Sequence, residues 1–164
     1  MDYLLIYKKI CYNLLINSKK GFVLAEKIII GSDHGGYNLK NEIIKHLAQK
    51  GLEVDDRGCY TSDSCDYPII AKDVAQEVLK TNCRGILICG TGIGVSITAN
   101  RFDGIRASHC TDTFTARMTR MHNNSNILCL GERITGVGLA LDIVDIWLST
   151  DFEGGRHQKR IDMI

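Results

Sequence analysis

The chain has 164 residues, 45% hydrophobic and 24% charged, with 20 Lys plus Arg against 19 Asp plus Glu and a formal net charge of +1. That composition excludes disorder as a description of the whole, and the charge balance argues against a nucleic-acid or anionic-membrane surface as the main function. One proline and 16 glycines suit many tight turns and provide no Pro-rich linker, so no second domain is expected to separate off.

Residues 1–26 hold two apolar runs, from Tyr3 to Tyr7 and from Ile10 to Ile16, split by Lys8 and Lys9. Neither approaches the ~20 apolar residues of a spanning helix, Asp2 sits where a positive start belongs, and no small-residue cleavage site follows. The segment therefore reads as an N-terminal extension, such as an amphipathic helix packed on a surface or partner, with no membrane role. The seven cysteines (Cys11, Cys59, Cys65, Cys83, Cys89, Cys110, Cys129) are odd in number and contain no C-x-x-C pair. Neither a disulfide framework nor a zinc knuckle is expected, and the cytoplasm is the natural compartment.

From Lys27 onward, β-type and α-type patterns alternate. Lys27 to Gly31 is a short β-rich run, after which Leu39, Ile43, Ile44, Leu47 and Ala48 recur at helical spacing up to Gly51. The alternation returns as Glu53 to Arg57 then Ile70, Val74, Ala75 and Val78, and as Gly85 to Cys89 then Val95 to Asn100. Ile105 to Cys110 leads to Phe114, Met118 and Met121, and Asn126 to Leu130 leads to an apolar stretch from Val137 to Leu148. The closing segment, 151–164, is polar and basic. Five strands each followed by a helix predict an α/β domain over residues 27–164, a doubly wound, Rossmann-like five-stranded parallel sheet with helices on both faces.

In such sheets the ligand crevice lies beyond the carboxyl ends of the strands, and the residues there are polar and Gly-rich. Strand one runs into Ser32-Asp33-His34-Gly35-Gly36, strand three into Gly90-Thr91-Gly92-Ile93-Gly94, and strand five into Gly131-Glu132-Arg133. Alternate glycines let a backbone approach a ligand closely, and a helix starting near Gly94 aims free N–H groups at that spot, making an anion nest. It is not a dinucleotide fingerprint, because Val95 stands where the third glycine belongs, nor a P-loop, which needs Gly-Lys-Ser/Thr. A plain flexible turn is the alternative, and Cys89 at its entrance weighs against it. A thiol facing a helix N-terminus has its thiolate favoured, as a base or nucleophile at neutral pH requires. Asp33-His34 and His122-Asn123 offer proton-exchanging groups, and Arg156 and Arg160, spaced i, i+4, share one helix side suited to a phosphate. Solvated surface is the competing reading for each.

Taken in order, Gly31-Ser32-Asp33-His34-Gly35-Gly36, Asp66-Tyr67-Pro68, Ile88 to Gly94, Asn100, His122-Asn123-x-x-Asn126, Leu130-Gly131-x-Arg133 and Gly154-Gly155-Arg156-His157-x-x-Arg160 resemble type B ribose-5-phosphate isomerase across residues 27–164. Isomerases of galactose 6-phosphate and allose 6-phosphate are similar to the same family. The resemblance implies an aldose-ketose isomerase in which Cys89 takes the proton from C2 of the open-chain sugar, giving an enediolate that is reprotonated at C1. It further implies that backbone N–H groups of Gly90, Thr91, Gly92, Ile93 and Gly94, with Asn123, hold the developing oxyanion, and that Thr91 relays a proton. Ring opening falls to His122 with Asp33 nearby. His34, Arg133, Arg156 and Arg160 are implied for the phosphate, His157 for substrate binding, and Tyr67 for the pocket wall.

No metal or redox cofactor is expected, since the oxyanion has its nest and no His, Cys or carboxylate set shows zinc-type spacing. The resemblance also implies a homodimer with active sites across the interface, so that His122, Arg133, Arg156 and Arg160 serve a partner's Cys89, with pairing of dimers into tetramers left open. A hexose 6-phosphate isomerase and a non-catalytic sugar-phosphate-binding module are the alternatives, and Cys89 together with His122 speaks against the second.

Overall fold

The computed structural model describes residues 27–164, and the extension read at residues 1–26 lies outside the described residues. Strands β1 (Lys27–Ser32), β3 (Arg84–Cys89) and β5 (Ile127–Gly131) are nearly continuous apolar runs, the composition of strands covered on both faces. Strands β2 (Glu53–Asp56) and β4 (Ala107–His109) are shorter and more polar. All pairings are parallel, in the order β2-β1-β3-β5-β4, so the two short strands lie at the sheet edges.

The helices are α1 (Tyr37–Gln49), α2 (Tyr67–Thr81), α3 (Ile93–Ala99), α4 (Thr113–Asn123), α5 (Val137–Ser149) and α6 (Arg156–Ile161), with a 3-10 turn at His34–Gly36 before α1. Their ends follow local chemistry. Pro68 stands in the first turn of α2, where its missing N–H costs nothing, and Asn82 ends that helix in the left-handed region. The Asp112 carboxylate accepts the Thr115 N–H at 2.8 Å to cap α4, and that bond holds its carboxyl below the usual range.

Strand alternation divides the core in two. Ile28, Ile30, Ile86, Ile88, Leu128 and Leu130 face α1, α4 and α5, whereas Ile29, Leu87, Cys89, Ile127 and Cys129 face α2 and α3. The helix predicted around Phe114, Met118 and Met121 forms, but Phe114 is 69% exposed, and α4 buries Ala116 and Thr119 instead. Apolar content misled here because the inward stripe of α4 is built from small residues. Trp147 of α5 is fully buried, donates its indole N–H to Ser125 Oγ at 2.7 Å, and is faced by the guanidinium groups of Arg84 and Arg120.

One buried charge ties the layers together. Lys40 of α1 is completely buried, and its Nζ donates to both oxygens of Asp56 at 2.7 and 2.8 Å, to Gly58 O at 2.7 Å and to Cys59 O at 2.9 Å. The ammonium thereby fastens α1 to the loop leaving β2. Removing Asp56 leaves the buried ammonium with its two carbonyl acceptors but no opposite charge. Asp56→Ala is expected to lower stability by about 3 kcal/mol, read from the urea unfolding midpoint, and a loss within experimental error would contradict this role.

Candidate active site

The connections out of β1 and β3 run to opposite sides of the sheet, so the crevice opens between the carboxyl ends of these neighbours. Asp33 leaves β1 bound to β3, its N–H donating to Ile88 O at 3.2 Å, and its carboxylate accepts the Gly35 N–H at 2.9 Å. Gly36 rests directly on β3, since a Cβ there would lie 2.6 Å from Ile88 Cγ2. His34 Nδ1 lies 3.3 Å from both the N and the O of Cys65, tying the loop before α2 to the same place, with the donor set by its tautomer.

Cys89 ends β3 and is 5% exposed. The chain then turns through Gly92, whose φ of +78° is unfavourable for any side chain, and this bend aims the Gly92 N–H at Cys89 Sγ at 3.0 Å. Cys89 pairs with Gly131 of β5 in the parallel register, and the turn passes immediately over that glycine. A Cβ on Gly131 would sit 2.6 Å from the carbonyl carbon of Thr91.

Side chains close around the turn from several elements. The Tyr67 ring lies on Gly94, 2.8 Å from where a Cβ would stand, and the Arg133 guanidinium covers Gly90 at 3.3–3.4 Å on the same measure. His109, at the end of β4, packs under Gly92, and its buried Nε2 has no hydrogen-bond partner among the described residues. His109 also borders a surface pocket of about 370 Å³ shared with Cys110, Thr115, Met118 and Asn123. The segment after β5 is anchored by backbone bonds from Glu132 N to Cys89 O and from Arg133 N to Gly90 O, both 3.0 Å. The Glu132 carboxylate accepts the Leu39 N–H at 2.9 Å and the Asn38 amide at 3.0 Å, placing negative charge at the N-terminus of α1.

A second polar group forms where α4 ends against the C-terminal segment. The rings of His122 and His157 stack with centroids 4.2 Å apart, and Glu153 Oε2 lies 3.9 Å from His122 Nε2 and 3.4 Å from His157 Nε2. Arg156 Nε donates to His157 Nε2 at 3.4 Å, and Arg160 follows four residues later on α6. Burial, then the neighbouring His122 and Arg156, hold the protonation of His157 below the usual histidine range, with Glu153 opposing them. Among the described residues, no hydrogen bond or ion pair joins this group to the one around Cys89.

Residues 28–164 match the model of a family described as Ribose/Galactose Isomerase. The chain belongs to that isomerase family. It is 49% identical to "Ribose-5-phosphate isomerase B" of Escherichia coli strain K12 over 85% of this chain and 94% of the relative. A solved ribose-5-phosphate isomerase B from Clostridium thermocellum superposes with a TM-score of 0.83 at 56% identity, covering 84% of this chain and 93% of that one. Another from Mycoplasma genitalium, solved with bound ribulose-5-phosphate, gives a TM-score of 0.81 at 44% identity over 84% and 92% of the two chains.

Within this isomerase fold, the structure gathers Asp33, Tyr67, Cys89, Gly90 to Gly94 and Arg133 at the crevice, with His34 tied to its rim by Cys65. His122, Arg156, His157 and Arg160 stand in the second group. Arg133, expected among the residues serving a partner's cysteine, instead covers the turn of its own chain. Two asparagines from the resemblance act as brackets: Asn100 makes both bonds of a strand partner with Ala107 at 2.8 Å, and Asn126 holds Arg106 N and Gly104 O at 2.8 Å each. His109 and Glu153 were not anticipated. A histidine closing the fourth strand was the readable sign of the first, and the i, i+4 spacing of Glu153 and His157 that of the second.

Cys59 and Cys65 are joined by a disulfide in the loop before α2, a single loop closure that the absence of C-x-x-C spacing did not foretell. The loop reverses and brings the two together. No helix among the described residues is long and apolar enough to cross a membrane. Burial pushes the Cys110 thiol up to about 11 and that of Cys129 upward as well, so both stay protonated at neutral pH. Iodoacetamide at about pH 8 should therefore leave Cys110 and Cys129 unmodified in peptide mass spectra of the native protein, and modification of either would contradict the burial argument.

Proposed function

We propose that this protein interconverts ribose 5-phosphate and ribulose 5-phosphate, with residues 27–164 carrying the activity and residues 1–26 an appendage to it. The observation that carries the reading is the Gly92 N–H directed at Cys89 Sγ, 3.0 Å away, at the head of a turn whose other N–H groups border the same crevice. Membership in the isomerase family supports it.

The ring form of the sugar opens when a proton leaves the anomeric hydroxyl and another reaches the ring oxygen, the exchange assigned to His122. The Cys89 thiolate then takes the proton from C2, and the bonding pair moves through C1 onto the aldehyde oxygen. The resulting enediolate oxygen meets preorganised backbone N–H groups of the 90–94 turn, whose typical worth is ~3 kcal/mol each in the transition state. Thr91 moves the proton between the two oxygens, and the Cys89 thiol returns its own proton to C1, leaving the ketose and a regenerated thiolate. Atoms and electrons balance with no external oxidant. Arg133 and His34 grip the phosphate from the crevice side, and Arg156, His157 and Arg160 from the other.

A second copy of the chain would supply the other side of that grip. Ile93 and Ile97, 49% and 62% exposed, are spaced i, i+4 on α3 beside Cys89 and offer an apolar face for it. A symmetric homodimer would bring the His122 group of one protomer to the Cys89 crevice of its partner.

Assays with ribose 5-phosphate, allose 6-phosphate and galactose 6-phosphate, in chelator, test the substrate assignment. Turnover is expected with the pentose, and Cys89→Ala should abolish it while circular dichroism stays native. Substantial turnover by that variant would refute the cysteine base. A shared site makes a further demand: inactive Cys89→Ala and Arg156→Ala/Arg160→Ala chains, dissociated, mixed and reassembled, should recover about a quarter of the native rate, because half the dimers are mixed and each has one intact site of two. No recovery, with heterodimers seen by native mass spectrometry, would put both groups in one protomer's site.

A further inference from the structure

We propose that His122, Glu153 and His157 form a binding site for one divalent transition-metal ion of the zinc class, and that occupancy reversibly inhibits the isomerase by engaging the lone pair of His122. The ligand atoms of the three residues all lie within 4.8 Å of one another. Tetrahedral zinc, with bonds near 2.0–2.2 Å, sets its ligand atoms roughly 3.3 Å apart. Glu153 Oε2 already stands 3.4 Å from His157 Nε2 and 3.9 Å from His122 Nε2, and turning one imidazole out of the stack, whose planes lie 9° from parallel, lets both lone pairs converge on one ion.

The backbone prepositions all three. The Glu153 N–H donates to Met121 O at 3.1 Å, locking the segment beside the residue that precedes His122. Gly154 and Gly155, with φ of +66° and +55°, then fold the chain so that the His157 N–H reaches Gly154 O at 3.0 Å and the imidazole returns to the same carboxylate. In the single chain the side chains of His122 and Glu153 are 36% and 44% exposed, on the side that would face the partner's substrate crevice, while His157, at 6%, anchors the interior.

The donor set selects the metal. Two imidazoles and one carboxylate suit zinc, copper or nickel and do not suit magnesium or calcium, which take oxygen donors. Two histidines and a glutamate also leave a fourth position open to water or to a phosphate oxygen. Arg156 Nε, 3.4 Å from His157 Nε2, competes for that nitrogen, but its side chain is exposed and free to swing outward. Its positive charge further disfavours weakly bound ions. The metal site rests on this geometry alone, whereas its inhibitory effect rests on the ring-opening role proposed for His122.

Cobalt(II) titration of the full-length protein tests the two separately. Saturation at one ion per chain is expected, with the visible bands of a nitrogen and oxygen site, without a thiolate charge-transfer band, and unchanged in Cys89→Ser. Glu153→Gln and His157→Gln, each checked by circular dichroism, should weaken cobalt binding at least about tenfold, as loss of a direct ligand must exceed the usual cost of an outer-shell partner. Zinc should slow ribose 5-phosphate turnover, chelator should restore it, and Glu153→Gln should be at least about tenfold less sensitive relative to its own metal-free rate. No saturable binding, or a thiolate band lost in Cys89→Ser, would overturn the site. Binding without inhibition would overturn the ring-opening role of His122 and leave the metal site standing.

Discussion

The pairing of Cys89 with Gly131 across β3 and β5 is the constraint on which the crevice depends. Because Gly131 lacks a side chain, the 90–94 turn settles onto the end of β5 with a clearance that no Cβ would allow. From that height the left-handed bend at Gly92 points its N–H back at the sulfur. Had the turn been lifted by a methyl group, the backbone donors would have risen away from Cys89. The same descent brings Arg133, two residues past Gly131, over Gly90. Sulfur, backbone donors and guanidinium are thus placed by one strand register.

Around this register, polar ties fix the loops at the carboxyl ends of the strands. Glu132 holds the first turn of α1, and the buried Lys40 ammonium holds the loop after β2, from which Cys65 reaches His34. At the far side, Asn100 and Asn126 supply the backbone bonds that β4 and its approach would otherwise lack. Each tie joins segments distant in sequence. Loops so held present donors at fixed positions, the condition under which electrostatic stabilisation of an oxyanion is most effective.

The molecule separates its chemistry into two groups. One, at the crevice, is built on strand ends and is rigid by construction. The other is carried by the end of α4 and by a C-terminal segment that contributes no strand, and it meets the first only through a second copy of the chain under the proposed dimer. Placing the histidines and the cation pair on such a segment lets one cluster, with Glu153 at its edge, serve the proposed proton exchange, the proposed phosphate recognition and the proposed metal ion.

Local pattern alone determined much of this. The β-branched runs, the helical spacing of Leu39, Ile43 and Leu47, and the polar residues closing each strand specified an α/β sheet and located its crevice at Asp33, Cys89 and Gly131, because strand and helix periods are properties of neighbouring residues. The motifs then indicated the family. Tertiary structure decided the rest: β5 between β3 and β4, Phe114 outside and Lys40 inside, Arg133 with its own chain's cysteine, His109 under Gly92, and Glu153 against both histidines. These are contacts between residues tens of positions apart, or burials decided by which helix face meets the sheet. A one-dimensional pattern carries the period of an element but not the rotation and register with which it docks, and those two quantities set who touches whom.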